Sequence, residues 1–171
     1  TASDRKQVDL DYVIDLSEAG VEKLRLTPRE INNGEVAVIV RRDFALLPDD
    51  EARLTSRGYN WETRIEGGRR WLILHDVTVP EGYQITNSTI AMEIPTSYPM
   101  AEIDMFYCFP ALARLDGRTI PQTQVNEHIM GQSFQRWSRH RGAIAPWRPG
   151  KDSVITHLLL IDESLIGEVE A

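Results

Sequence analysis

The spacing of hydrophobic positions divides the chain into three regimes. Leu47-Pro48-Asp49-Asp50-Glu51 precedes Ala52 and Leu54, with Gly58 after them, which predicts a short helix. Proline and acidic groups suit the positive N-terminal end of a helix, and glycine suits its exit. The period then drops to two. Trp61-Glu62-Thr63-Arg64-Ile65 and Trp71-Leu72-Ile73-Leu74 flank Glu66-Gly67-Gly68-Arg69, a hairpin signature, with Trp61 and Trp71 expected to face each other across it as core. Val77-Thr78-Val79 leads into a turn at Pro80-Glu81-Gly82-Tyr83, Ser88 to Ile94 predicts a third strand, and Ile103 to Tyr107 a fourth.

These segments make an antiparallel four-stranded meander. From Pro110 to about Arg136 no period is sustained, and a long irregular loop is expected there. A stretch of that length inside a domain usually carries function. Helical spacing returns at the end, where Asp152 is expected to cap a helix. Its stripe is Val154, Ile155, Leu158, Leu159, Ile161 and Leu165, closing near Gly167. The order of helix, meander, loop and helix is of the α+β class.

Residues 1–35 have a different texture, with no Trp, Phe or His. Leu24-Arg25-Leu26 predicts a short strand, Thr27-Pro28-Arg29-Glu30 a helix start, and Asn32-Asn33-Gly34 a turn. They are expected to form an N-terminal extension to a domain spanning 36–171, which opens on the β-branched run Val36 to Val40.

Composition narrows the function. The 171 residues carry 19 Lys+Arg against 26 Asp+Glu, a formal charge of -7, and this balance disfavours a phosphate-binding surface for nucleic acid. The exception is the basic run from Arg136 to Arg148. A single cysteine forms no internal disulfide and supplies no cysteine-rich zinc site. His128 and His140 have no metal-ligand spacing, so no metal or other cofactor is expected. No apolar run approaches the roughly 20 residues that span a bilayer, and the polar opening TASDRKQVD lacks the look of a signal peptide. A cytoplasmic protein with no membrane partner is the expectation.

Taken by composition alone, Trp137-Ser138-Arg139-His140-Arg141 is a packed tryptophan beside a solvated basic surface with a hydrogen-bonding serine. Cys108 is a small buried hydrophobe. His75, at a strand end, and His157, in the last helix, are structural. Asp104 and Asp116 are acids able to orient a histidine or lower the pKa of an attacking lysine, and spacing selects neither.

One set of motifs changes this picture: Leu47-Pro48, Trp61-Glu62, Glu66-Gly67-Gly68, Trp71-Leu72, Gly82-Tyr83, Tyr98-Pro99, Asp104-Met105-Phe106-Tyr107, Gln135 to Arg141, and Trp147-Arg148-Pro149-Gly150. In their order they resemble the ubiquitin-conjugating (E2, UBC) fold. There a Tyr-Pro follows the third strand, a long loop after the fourth carries the catalytic cysteine, and a Trp-Ser-Pro opens the helix behind it. More closely, residues 40–170 resemble the bacterial E2-like proteins of family E, found beside ubiquitin-like proteins and E1-like enzymes.

The resemblance implies an E2-type transferase that accepts a ubiquitin-like C-terminus from an E1-like adenylyltransferase and passes it to an amine of a target protein, in a setting of antiviral defence. The family nucleophile lies about eight residues before the Trp of Trp-Ser-Pro, and a His-Pro-Asn histidine about ten before the nucleophile. Counting back from Trp147 reaches Arg139 and its neighbour Ser138, and ten before Ser138 stands His128. Cys108 falls ahead of that loop. The implied nucleophile is therefore Ser138, carrying an oxyester, with His140 or His128 as its base.

Arg136, Arg139 and Arg141 are implied to neutralise an oxyanion or hold the tail. His128 precedes Ile129 and Met130 rather than Pro-Asn, which leaves Asn126 as a weak substitute for the family asparagine. Thr119 and Cys108 are less favoured nucleophiles. In the alternative reading the chain is a catalytically silent module that scaffolds the E1-like and ubiquitin-like proteins. Under either reading residues 1–35, too short for a ubiquitin-like domain, are expected to be a docking arm for the E1-like enzyme, a ubiquitin-like remnant, or a flexible arm that packs on the sheet.

Overall fold

The computed structural model describes residues 40–171, and its first helix, α1 (Pro48–Ser56), matches the expectation from Leu47 and Pro48. No side chain caps it. Its first turn carries Asp49, Asp50 and Glu51 against the positive helix end, and Glu51 also accepts the Leu46 N–H at 3.1 Å. The hairpin follows as β1 (Asn60–Glu66) and β2 (Arg69–Thr78). Glu66 pairs with Arg69, while Gly67 (φ 57) and Gly68 (φ 79) supply the two left-handed positions a two-residue turn needs.

A register shift between Leu74 and Val77 bends β2 before it pairs with β3 (Asn87–Glu93), and β3 in turn pairs with β4 (Phe106–Phe109). The expected fourth strand thus starts three residues later than Ile103, leaving Asp104 and Met105 outside it.

Beyond β4 the structure corrects the four-stranded meander and the long irregular loop. A second hairpin, β5 (Asn126–Ile129) and β6 (Gln132–Trp137), lies inside the stretch expected to be irregular. Only 110–125 lacks a strand. β6 pairs with β4, Tyr107 opposite Arg136, so the sheet runs β1-β2-β3-β4-β6-β5. The hairpin was hidden for two physical reasons. Its turn places Met130 (φ 50) and Gly131 (φ 74) in left-handed positions where the usual signal is Asn-Gly, and β5 is an edge strand in which only Ile129 is buried.

The two faces of the sheet carry separate cores. Trp61 pairs with Leu74 and Trp71 with Arg64, so the two tryptophans do not face each other but occupy opposite faces. Trp61 belongs with Leu72, Leu74, Phe106 and Trp137, a cluster closed by Leu158, Ile161 and Leu165 of the last helix. Trp71 lies with Ile73, Tyr107, Ile129 and Phe134. Both are core, as the hairpin reading expected, though in two clusters rather than one.

The last helix, α2 (Val154–Glu170), corrects two boundaries. Its cap is Ser153 rather than Asp152: the Ser153 hydroxyl accepts from Ile155 N, and the Thr156 hydroxyl accepts from Ser153 N at 2.9 Å, a reciprocal capping box. The helix also runs through Gly167, because Val169 still packs on the sheet side. A Cβ on Gly82 would stand 2.9 Å from Val169 Cβ, so the absence of a side chain at Gly82 makes the room. Tyr98 ties the helices together, accepting from Val154 N at 2.9 Å and donating to Asp50.

Of the expected strand Val36 to Val40, only Val40 is described, and it is buried. The expected extension, residues 1–35, lies outside the described residues. Among those described, no helix is long and apolar enough to cross a membrane.

Candidate functional site at the end of the central strands

Trp137 ends β6 and is wholly buried, stacked on Phe106 with ring centroids 5.2 Å apart, its indole N–H donating to Gln135 Oε1 at 2.9 Å. That anchor fixes where the chain leaves the sheet. Ser138 emerges there half-buried, its N–H donating to Gln122 O at 3.2 Å and its hydroxyl to Met105 Sδ at 3.8 Å. Sulfur is a weak acceptor, so the hydroxyl is lightly held.

Met105 precedes β4 at φ 59, a left-handed conformation uncommon for a residue with a side chain. Next to it, Asp104 Oδ1 lies 2.6 Å from His140 Nδ1, and the Met105 carbonyl accepts from His157 Nε2 at 2.7 Å. Ser138, His140 and His157 thus converge on two consecutive residues.

The arginines flank this cluster. Arg139 lies over the Trp137 ring, reaches Glu168 Oε2 at 3.3 Å and donates to Pro121 O. Arg141 lies over the Trp147 ring, pairs with Asp152 at 3.4 Å and donates to Thr156 Oγ1. An open cleft of about 490 Å³ begins at Arg141 and Trp147 and extends to Met100 and Glu102. Trp147 itself is pinned by its indole N–H on Pro99 O, 2.9 Å away, which gives the Tyr98-Pro99 and Trp147 motifs a shared structural role.

The fold brings together Ser138, His140, Arg139 and Arg141. It separates the others. Arg136 shares a face with Phe134, across the sheet from Trp137. His128 pairs with Ser133 beside the β5–β6 turn, and five strand residues onward to Ser138 put it about 17 Å away, so it makes no pair with Ser138. Asn126 sits exposed at the start of β5 opposite Gln135, and Thr119 is exposed in the 110–125 loop. Cys108 lies within β4 in the main core with no solvent exposure, and burial pushes its thiol far above the usual range.

Asp104 is the residue that spacing left unselected. It stands 36 positions from His140 in sequence, and only the β4–β6 pairing joins them. Asp116, the other candidate orienter, is instead held by Arg114 and Arg118, whose hydrogen bonds keep its carboxyl well below the ordinary carboxylate range. His75 lies within β2 rather than at a strand end, its Nε2 3.0 Å from Glu62 Oε1. Among the described residues, no three His, Cys, Asp or Glu side chains gather as a metal site would require.

His157 is 1% exposed, and burial lowers its pKa from 6.5 to about 4. The ring is therefore neutral near pH 7. A carbonyl only accepts, so the proton sits on Nε2, and Nδ1 is left without a partner. The unfolded chain takes up a proton below pH 6.5 that the fold refuses until about pH 4, so this contribution to stability is present above that window and lost as pH falls through it. Between pH 7 and pH 5 urea titrations should show a loss of about 2 kcal/mol assignable to this residue. His157→Gln should remove that share; an unchanged pH slope in the variant would refute the assignment.

Against models of known families, residues 46–168 match that of prokaryotic E2 family E. No curated protein and no solved structure matches the chain.

Proposed function

The chain belongs to prokaryotic E2 family E, and on that premise we propose that it carries a ubiquitin-like C-terminus as an oxyester on Ser138, received from an E1-like enzyme and delivered to an amine of a target protein. The observation behind this reading is one of placement. The Ser138 hydroxyl, the Asp104–His140 pair and two guanidiniums share the exit of β6, while Cys108, the sole thiol of the chain, is sealed in the core.

Asp104 at Nδ1 fixes the His140 tautomer whose bare Nε2 accepts a proton. As Ser138 Oγ bonds to the carbonyl carbon, its proton passes to His140 Nε2, and the negative oxygen forms beside Arg139 or Arg141. The bond to the E1-like donor then breaks, and its leaving group takes the proton from His140. In the second half the target amine attacks the ester carbonyl and loses a proton to His140 Nε2, the C–Oγ bond breaks, and the departing Ser138 oxygen takes that proton. Releasing the hydroxyl from Met105 Sδ to begin this sequence costs little, since the acceptor is sulfur.

One observation favours the reading as a silent scaffold: Ser138 rests on sulfur rather than on a base nitrogen, and both arginines are already paired. The chemistry of the covalent adduct separates the two readings. With ATP, the E1-like enzyme and the ubiquitin-like protein, the full chain should form an adduct that withstands thiol reductant but yields to mild base, and Cys108→Ser should form it equally well. An adduct lost to reductant returns the chemistry to Cys108. A stable complex with no adduct makes the protein a scaffold.

A further inference from the structure

We propose that His157 is the positioning residue of this site, holding Asp104 and Met105 in the conformation that presents one to His140 and the other to Ser138. The inference rests on the reading of Ser138 as nucleophile and adds to it a residue on α2 that touches no reacting atom. Met105 stands at φ 59 ahead of β4, where a side-chain-bearing residue stays only if its surroundings hold it. What holds it is visible: the Met105 carbonyl accepts the His157 Nε2 proton at 2.7 Å from inside the core.

The two residues so fixed have divergent contacts. The Asp104 carboxylate meets His140 Nδ1 at 2.6 Å, and Met105 Sδ receives the Ser138 hydroxyl at 3.8 Å. Letting the Met105 peptide relax toward an ordinary conformation would swing both side chains away together. His157 is buried at 1% exposure with Nδ1 unpartnered, so the ring spends its one donor on this carbonyl and gains no second bond in return. The charged groups acting on it are Asp104 and Arg141, both members of the site. A residue serving only to fill the core needs no nitrogen at that place.

The test compares His157→Gln, whose amide N–H can reach the same carbonyl, with His157→Phe, which fills the space without a donor, both in the full chain with the E1-like and ubiquitin-like partners. His157→Phe is expected to slow adduct formation 10- to 100-fold at saturating donor, with the half-saturating donor concentration unchanged. His157→Gln should stay within a few-fold of the parent. Independently of activity, NMR contacts between the Met105 methyl and Ser138 should be lost in the Phe variant and kept in the Gln variant, and His157→Leu replaces Phe should that chain not fold.

A folded Phe or Leu variant with parental rate and intact Met105 contacts overturns the proposal while leaving Ser138 in place. Equal losses in the Gln and Phe variants also overturn it, since a donor would then rescue nothing. Mapping the parental adduct to a residue other than Ser138 refutes the underlying reading instead.

Discussion

Ser138→Ala is expected to abolish the covalent adduct, a fall on the order of 10³-fold or more in its rate of formation, since no neighbouring group replaces a lost nucleophile. The fold should hardly notice. Ser138 is half-buried, and its hydroxyl contacts only a sulfur atom at 3.8 Å, so the cost in stability should stay below about 1 kcal/mol. The complementary change, Ser138→Cys, should restore an adduct that now dissolves in thiol reductant, because a thioester replaces the ester. Gel mobility of the adduct with and without reductant, beside a melting curve for each variant, checks all of this. A Ser138→Ala chain that still forms a near-parental yield of adduct would remove Ser138 from the mechanism and direct attention to Thr119 or Cys108.

Trp137→Ala is expected to cost about 3–5 kcal/mol of stability. The indole is fully buried, stacks on Phe106 and meets Tyr83 edge-on with centroids 6.3 Å apart. Its N–H also satisfies Gln135 Oε1, and the same Gln135 amide accepts from Leu112 N at 2.9 Å and donates to Leu112 O at 3.1 Å. Removing the ring leaves a cavity and loosens the 110–125 loop through Gln135. Set against a total stability of roughly 5–15 kcal/mol for an ordinary domain, the change should lower the melting temperature by about 10–20 °C. Trp137→Phe should recover most of the packing and lose only the hydrogen bond. If thermal unfolding of the alanine variant shifts by less than a few degrees, the ring is not the anchor of the β6 exit. Because Ser138 is the next residue, adduct formation should fall with the packing.

Much of the fold was legible along the chain. The helix after Leu47-Pro48, the Gly67-Gly68 hairpin and the strand around Ile90 each follow from local spacing and turn chemistry, and each stands within a few residues of its expected bounds. The β5–β6 hairpin was not legible, since a Met-Gly turn and a polar edge strand give no periodic signal. The cap of α2 slipped by one residue because Asp152 and Ser153 are both good caps. Asp152 instead accepts from Arg148 N at 2.7 Å and pairs with Arg141. By residue type the segment 137–141 is a packed tryptophan on a basic surface, and only the E2 resemblance, counted back from Trp147, marks it as chemical; the same count grouped His128 with it. Counting measures chain length, and a hairpin turns chain length into separation along a strand.

The sequence by itself determined which stretches bury a face, and it placed a serine, a histidine and arginines together at 138–141, because periodicity and adjacency are local properties that survive without a fold. Only the tertiary structure decided that Asp104 is the partner of His140, that His128 belongs to the far end of a hairpin, and that His157 reaches the Met105 carbonyl. Those outcomes depend on strand register and on a left-handed residue ahead of β4. Such features are set by the packing of β4, β6 and α2 against one another rather than by any preference written into methionine or aspartate.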